Sequence, residues 1–352
     1  MKTEFQTMLC RLIGLLFLLT SCATQTSEPE ENVSYNSKKV NDAFSQAAQI
    51  GNIKSLVVSY NGNIVKEQYW RTGGAENLHD VRSVTKSVVG ILTGIAIEKG
   101  LIKSIDQPIN DFIGSFYDDF PADKNGITIK HLLTMSGVFQ WDELTTVSGY
   151  NNWRSAPNQI KYILDTPLIN QPGQTFTYNS AALHLLSVCI TISSGMNTKQ
   201  FAEKYLFEPL GISERVWETD RQGFCNGGAG LQISPRDMIK IGELILNKGE
   251  YRGKRIVSAD WINQLSGFNI SVGTVQPYST GYGYCWWIGQ AGNLKYSFAN
   301  GWGGQFIVVF PSLNLVVTAT NQWSGISTST ANSQWYSTLT TILTQIAPAF
   351  SQ

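Results

Sequence analysis

Ser83 and Lys86 stand three residues apart in "RSVTKSVVG" (82–90). A serine hydroxyl attacks a carbonyl well only when a base takes its proton, and an uncharged lysine amine can be that base. Residues i and i+3 share one face of a helix, so the two groups can meet. The spacing alone is weak, because such a pair arises by chance about once in a chain of this size. Its surroundings add to it. "SVVGILTGIAI" (87–97) carries no charge. A helix that is apolar all round is a buried one, and Lys86 is the charge stranded at its start. Burial disfavours the ammonium form and moves lysine toward general-base chemistry. At a helix N-terminus, free N–H groups and the dipole would favour an oxyanion near Ser83. The bland alternative is an N-cap serine and a lysine that reaches back to solvent. Residues 83–97 do not choose between the two.

A serine–lysine pair needs a partner to deliver a proton to the leaving group, and a tyrosine hydroxyl can donate and accept. Tyr-x-Ser/Asn occurs at Tyr35, Tyr150 and Tyr178. The first lies in a polar N-terminal stretch and the second in "SGYNNWRSAPN", which reads as a polar loop. The third follows the turn "QPGQTF" and precedes the apolar run "AALHLL", so Tyr178 is the best fixed of the three. Its alternative role is a packed aromatic. Near the end, "ANGWGGQFIVVFP" sets Gly301, Gly303 and Gly304 before an apolar strand, where another backbone or a ligand can approach closely. A plain hairpin turn is the competing reading. "WDE" (141–143) offers a carboxylate for a cationic substrate end, although a solvated loop is the simpler expectation.

The elements that must position these residues follow from pattern. "KVNDAFSQAAQI" (39–50) reads as a helix, and "SLVVSYNGNIVKEQYW" (55–70) as a hairpin turning at Asn61-Gly62. Residues 83–250 are mostly helical in pattern. Strands are expected at 282–289, 294–300, 303–310 and 313–321, with a last helix over about 331–346. Early and late strands would share one antiparallel sheet, covered by the terminal helices. The helical middle would form a second lobe, with a cleft between the lobes. The fold class is therefore α+β. A single catalytic domain spans 39–350, its sheet lobe about 39–82 and 250–350 and its helical lobe about 83–249.

The chain has 352 residues, 26 basic and 26 acidic, with no basic block, which argues against a nucleic-acid partner. Lys2 and Arg11 flank a short apolar run ending in Leu19-Thr20-Ser21-Cys22. That reads as a signal segment (1–21) of lipoprotein type, with Cys22 lipidated and residues 22–38 a polar tether. The expected location is the bacterial cell envelope, extracytoplasmic and held to the membrane by lipid. An ordinary cleaved signal or an uncleaved anchor is the alternative. Cys189, Cys225 and Cys285 remain, an odd number that allows one disulfide at most. Without CxxC or HExxH, and with three scattered histidines, the sequence offers no zinc pattern, and no cofactor is expected.

These three elements, in this order, resemble the serine β-lactamase and penicillin-binding-protein superfamily. The pattern is most similar to its class C-like branch of esterases, D-alanyl-D-alanine carboxypeptidase relatives and 6-aminohexanoate-dimer hydrolases. "SVTKSVVGILTGIAIEKGLI" resembles the nucleophile helix, "DQPINDFI" and "ITIKHLLTMSG" the segments after it, "QPGQTFTYNSAALHLL" the Tyr-x-Ser/Asn region, and "GGAGLQISPRDMIKIGELILNKG" a late helix. The resemblance covers roughly residues 40–345. It implies a β-lactamase/transpeptidase-like fold. It also implies that Ser83 is acylated, that Lys86 takes its proton and that Tyr178 is the partner acid/base. Ser180 falls where many relatives carry Asn. The N–H groups of Ser83 and Trp302 would form the oxyanion hole, with Asn300 and Gly301 beside them. Many relatives carry Lys-Thr-Gly there, and this chain has Asn300-Gly301-Trp302. The expected activity is thus a serine hydrolase acting through an acyl-enzyme on esters or amides of small substrates. Trp302, with Trp141, Trp286 and Trp287, would narrow the pocket toward linear, partly apolar acyl groups. The alternatives are a D-alanyl-D-alanine carboxypeptidase or β-lactamase, and a non-catalytic cell-wall peptide binder. A Ser-His-Asp hydrolase fits poorly, since Gly-x-Ser-x-Gly does not occur.

Overall fold

The computed structural model describes residues 34–351 except 72, 118, 147, 275 and 276. The expected signal segment and Cys22 lie outside the described residues. The chain begins with α1 (Ser37–Ala47), β1 (Ile53–Tyr60) and β2 (Asn63–Tyr69). Asn61 and Gly62 between the strands both take positive φ, 51° and 76°, which matches the twist of a two-residue hairpin. β3 (His79–Asp80) leads into α2 (Val84–Glu98). The short helices α3 (Asn110–Ile113), α4 (Ile129–Leu133), α5 (Ser148–Ser155) and α6 (Gln159–Asp165) follow, then α7 (Ser180–Ser194), α8 (Thr198–Ala202) and α9 (Glu208–Leu210). β4 (Val216–Trp217) and β5 (Leu231–Ile233) precede α10 (Pro235–Leu246), the ribbon β6 (Glu250–Tyr251) and β7 (Lys254–Arg255), and α11 (Ala259–Leu265). β8 (Gly281–Tyr282), β9 (Trp287–Ala291), β10 (Leu294–Gly301), β11 (Gln305–Phe310) and β12 (Leu315–Asn321) run to the closing helix α12 (Thr328–Thr341).

The large sheet is antiparallel, in the order β2-β1-β12-β11-β10-β9-β8. Early and late strands therefore meet at β1–β12, as expected. Neighbouring residues of β11 point to opposite faces. Phe306 meets Trp335 of α12, ring centroids 5.5 Å apart. Ile307 faces Gly242 of α10, where an added Cβ would lie 2.4 Å from Val316 Cγ1. α10 thus covers one face and α12 the other, and residues 35–351 fall in one compact unit. Every residue of α2 from Val84 to Ala96 is buried. Its fully buried Val, Ile and Leu side chains each contribute about 2 kcal/mol of hydrophobic stabilisation, which fixes the start of this helix firmly in place.

Four local expectations change. α1 starts at Ser37, not in a tether: Asn36 caps it, accepting from Lys39 N, and the Tyr35 ring stacks on Phe350. The segment 282–289 is not one strand. Cys285 takes φ 63° and its N–H bonds Leu133 O, so β8 and β9 are separated. Tyr150 is on helix α5 and not in a loop. A second small sheet, β3-β5-β4, joins the strand before α2 to two short strands inside the stretch expected to be helical.

Candidate active site

The turn before α2 is held from both sides. Arg82 adopts φ 51°, a costly conformation for a side-chain-bearing residue and one that clusters at functional sites. Asp80 Oδ1 accepts from Arg82 N at 2.8 Å, and Thr85 Oγ donates to Arg82 O at 2.6 Å. Ser83 follows as the residue before the helix, yet its side chain makes no capping bond. Its Oγ instead lies 2.7 Å from Lys86 Nζ. The plain N-cap alternative does not describe this serine.

Lys86 is 1% exposed. Its amine donates to Gly228 O as well, at 2.7 Å, and lies 4.9 Å from the Tyr178 ring centroid. Burial pulls its pKa down to about 8. The Glu143 carboxylate opposes that, and the Arg82 guanidinium reinforces it. The Gly228 carbonyl is itself positioned. Asn226 Oδ1 accepts from Gly228 N and Ala229 N, and Trp217 Nε1 bonds Asn226 O. His184 Nδ1 accepts from Gly227 N at 3.3 Å, so its Nε2 carries the proton and donates to Asp220 Oδ2 at 2.9 Å. His184 is thus used for support, deep in the core.

Tyr178 sits at the junction before α7, as its sequence context indicates. Thr177 N bonds Met135 O at 2.7 Å, Asn179 caps α7, and the Tyr178 ring stacks on Trp287 at 5.6 Å. Burial first and Glu143 second push the phenol well above its usual pKa, with hydrogen bonding to Ser83 acting the other way. The hydroxyl therefore stays protonated near neutrality and is suited to give a proton, while Lys86 is the group suited to take one.

Ser83, Tyr178, Asn300, Trp302 and Trp287 line a cleft of about 390 Å³. Ser180 and Gly301 do not. Ser180 is fully buried, and its N and Oγ both donate to Glu143, at 2.8 and 2.5 Å. Gly301 is buried where an added Cβ would stand 2.3 Å from Val81 O, so its contribution is close approach of β10 to the turn before Ser83. Asn300 Oδ1 accepts from Trp335 Nε1 at 2.6 Å. Trp286 is core, and Trp141 bonds Glu143 at 3.0 Å.

Other residues of the cleft are only lesser alternatives in the sequence, as Glu143 and Tyr150 are, or carry no motif there. Glu143, the "WDE" carboxylate for which a solvated loop is the simpler expectation, faces the cleft with both oxygens bonded. Arg82, Tyr150, Trp335 and Tyr336 are also part of the wall. The adjacent pair Trp335-Tyr336 in a Ser/Thr-rich helix was the available signal for the last two. Cys189, Cys225 and Cys285 are free and buried.

The family model named Beta-lactamase matches residues 41–334. The 6-aminohexanoate-dimer hydrolase of Paenarthrobacter ureafaciens is 24% identical over 288 residues, 74% of this chain and 71% of that protein. A beta-lactamase of Escherichia coli K12 is 25% identical over 256 residues, 66% of this chain and 60% of that one. Among solved structures, the octameric penicillin-binding protein homologue of Pyrococcus abyssi superposes with a TM-score of 0.69 at 21% identity, covering 88% of this chain and 77% of the other. Its likeness is one of fold: the same mixed helix and strand architecture on a large antiparallel sheet.

Proposed function

The chain belongs to the β-lactamase family and is a hydrolase, and on that premise we propose that it cleaves ester or amide bonds of small substrates through an acyl-enzyme on Ser83. The observation that carries this reading is the 2.7 Å contact of Ser83 Oγ with the buried amine of Lys86. Ser83 Oγ attacks the acyl carbon while its proton passes to the neutral amine of Lys86. The N–H groups of Ser83 and Trp302 hold the oxyanion. The C–O or C–N bond then breaks, and the leaving group takes a proton through Tyr178. Water attacks the acyl-serine, gives up its proton to the same relay, and frees the acid and Ser83.

Asn300-Gly301-Trp302 in place of a basic strand favours esters and amides over β-lactams, and the aromatic wall favours partly apolar acyl groups. Intact-mass labelling tests both points. A fluorophosphonate adduct on the Ser83 peptide, without a penicillin adduct, is the expected result, together with loss of p-nitrophenyl butyrate turnover in Ser83→Ala. Activity surviving that substitution would remove Ser83 from the mechanism, and a penicillin adduct on the same peptide would favour a penicillin-binding role. We also propose, from Leu19-Thr20-Ser21-Cys22, that Cys22 is lipidated and holds the enzyme at the bacterial cell envelope. Detergent-phase partitioning of the full chain, lost in Cys22→Ala, is the expected result; unchanged partitioning would rule it out.

A further inference from the structure

Two charged side chains, Arg82 and Glu143, line the cleft, and their states differ. Both oxygens of Glu143 are engaged by three donors, from Ser180 and Trp141. Arg82 is only partly paired, with Asp80 and with the Tyr150 hydroxyl. Its Nη1 lies 3.5 Å from Asp80 Oδ2, at the outer limit of a hydrogen bond. The other Asp80 oxygen is taken by the Arg82 backbone N–H. Arg82 Nε is buried with no hydrogen-bond partner among the described residues.

The guanidinium is nevertheless held in place. Its carbon lies 4.2 Å from the Trp323 ring centroid and 5.7 Å from that of Tyr150. The Tyr150 hydroxyl takes part of the guanidinium edge as a hydrogen-bond partner, while the Trp323 ring stabilises the guanidinium and fixes its plane without accepting N–H bonds along that edge. The side chain is only 17% exposed, so a charge meeting it is poorly screened. Elsewhere in the cleft wall, Trp335 occupies the oxygen of Asn300 and leaves the amide NH₂ as the other end of that side chain. A fixed, partly desolvated guanidinium whose outer N–H groups are only partly engaged, by Asp80 at 3.5 Å and by Tyr150, can give two parallel N–H bonds to the paired oxygens of a carboxylate.

We propose that Arg82 is a specificity-determining residue that recognises a carboxylate on the substrate. This rests on the serine-hydrolase reading above. It places the positive charge of the cleft on the residue before the nucleophile, and not on the β10 strand, where Asn300 stands.

The test compares phenyl butyrate with phenyl hemiglutarate, whose carboxylate is on the acyl side, and with 3-carboxyphenyl butyrate, whose carboxylate is on the leaving side. At least one acid should exceed the neutral ester in kcat/KM by about tenfold. Arg82→Gln should bring that ratio to about one, and Arg82→Lys, which keeps charge without the fork, should leave an intermediate ratio. The ratio is the readout, because losing Arg82 also alters Lys86 and slows every ester. Ser83-dependent turnover with no preference for either acid, or a preference that survives Arg82→Gln, would overturn the proposal. Calorimetric binding of benzoate against benzamide gives an arm independent of turnover. If no ester is hydrolysed but benzoate binds about tenfold tighter, and Arg82→Gln abolishes the difference, the hydrolase reading falls and the Arg82 assignment stands. Equal binding of the two would overturn the assignment.

Discussion

Lys86 meets two opposed demands. Its burial is unfavourable for an ammonium, yet that burial is what frees an amine near neutral pH. With its pKa lowered to about 8, kcat/KM should rise with pH through about 8, and Lys86→Met should lower kcat by about 10³-fold. A profile flat between pH 6 and 9 would exclude this amine as the base. Stability gives a second check. In the unfolded chain the amine has its ordinary pKa of about 10.4, so between about pH 8 and 10.4 the unfolded state binds more protons. The wild-type protein should therefore gain stability with rising pH over that window relative to Lys86→Met, as read by denaturant midpoints. Glu143 favours the ammonium form, so Glu143→Gln should lower the Lys86 pKa and move the acidic limb of the rate profile to lower pH. Movement to higher pH would contradict that coupling. Ser83, Lys86 and Tyr178 were legible because each has a local signature: a charge in an apolar run, or a tyrosine between a Pro-Gly turn and a helix. Glu143 was legible only as a carboxylate in "WDE", and its pairing with Ser180 was not, since the two are 37 residues apart.

At the level of elements, the strand that stands beside the nucleophile depends on missing side chains. Gly301 lets β10 lie against Val81 O, where a methyl would sit at 2.3 Å. Gly301→Ala should cost about 1–3 kcal/mol by overpacking and should lower kcat more than it raises KM, because Trp302 moves with the strand. Unchanged kcat in a destabilised variant would separate packing from catalysis. The hairpin at Asn61-Gly62 and the buried helix α2 were readable from short-range chemistry. The break at Cys285 was not, since a hydrogen bond to Leu133 O, from a distant part of the chain, imposes it. β3, β4 and β5 are two or three residues long, too short to show a period of two.

On the scale of the whole molecule, the cleft is assembled from the start of α2, Glu143, Leu144, Tyr150, Tyr178, Ala229, the β9–β10 edge and α12. The order β2-β1-β12-β11-β10-β9-β8 makes this possible by closing the first strands onto the last. That closure was foreseeable, because strand patterns at both ends with helices between must share one sheet. The role of α12 as a wall was not, because amphipathic pattern reports which face is buried and not which neighbour it meets. The three thiols in this assembly carry a practical consequence. Cys189 lies in α7, Cys225 between β4 and β5 and Cys285 between β8 and β9, all buried. Burial raises the pKa of each thiol, and the thiolate is the reactive form. Residues 34–352 in the native state should therefore be silent toward iodoacetamide and gain three adducts only on opening, a chemical clock for unfolding that needs no substitution at all.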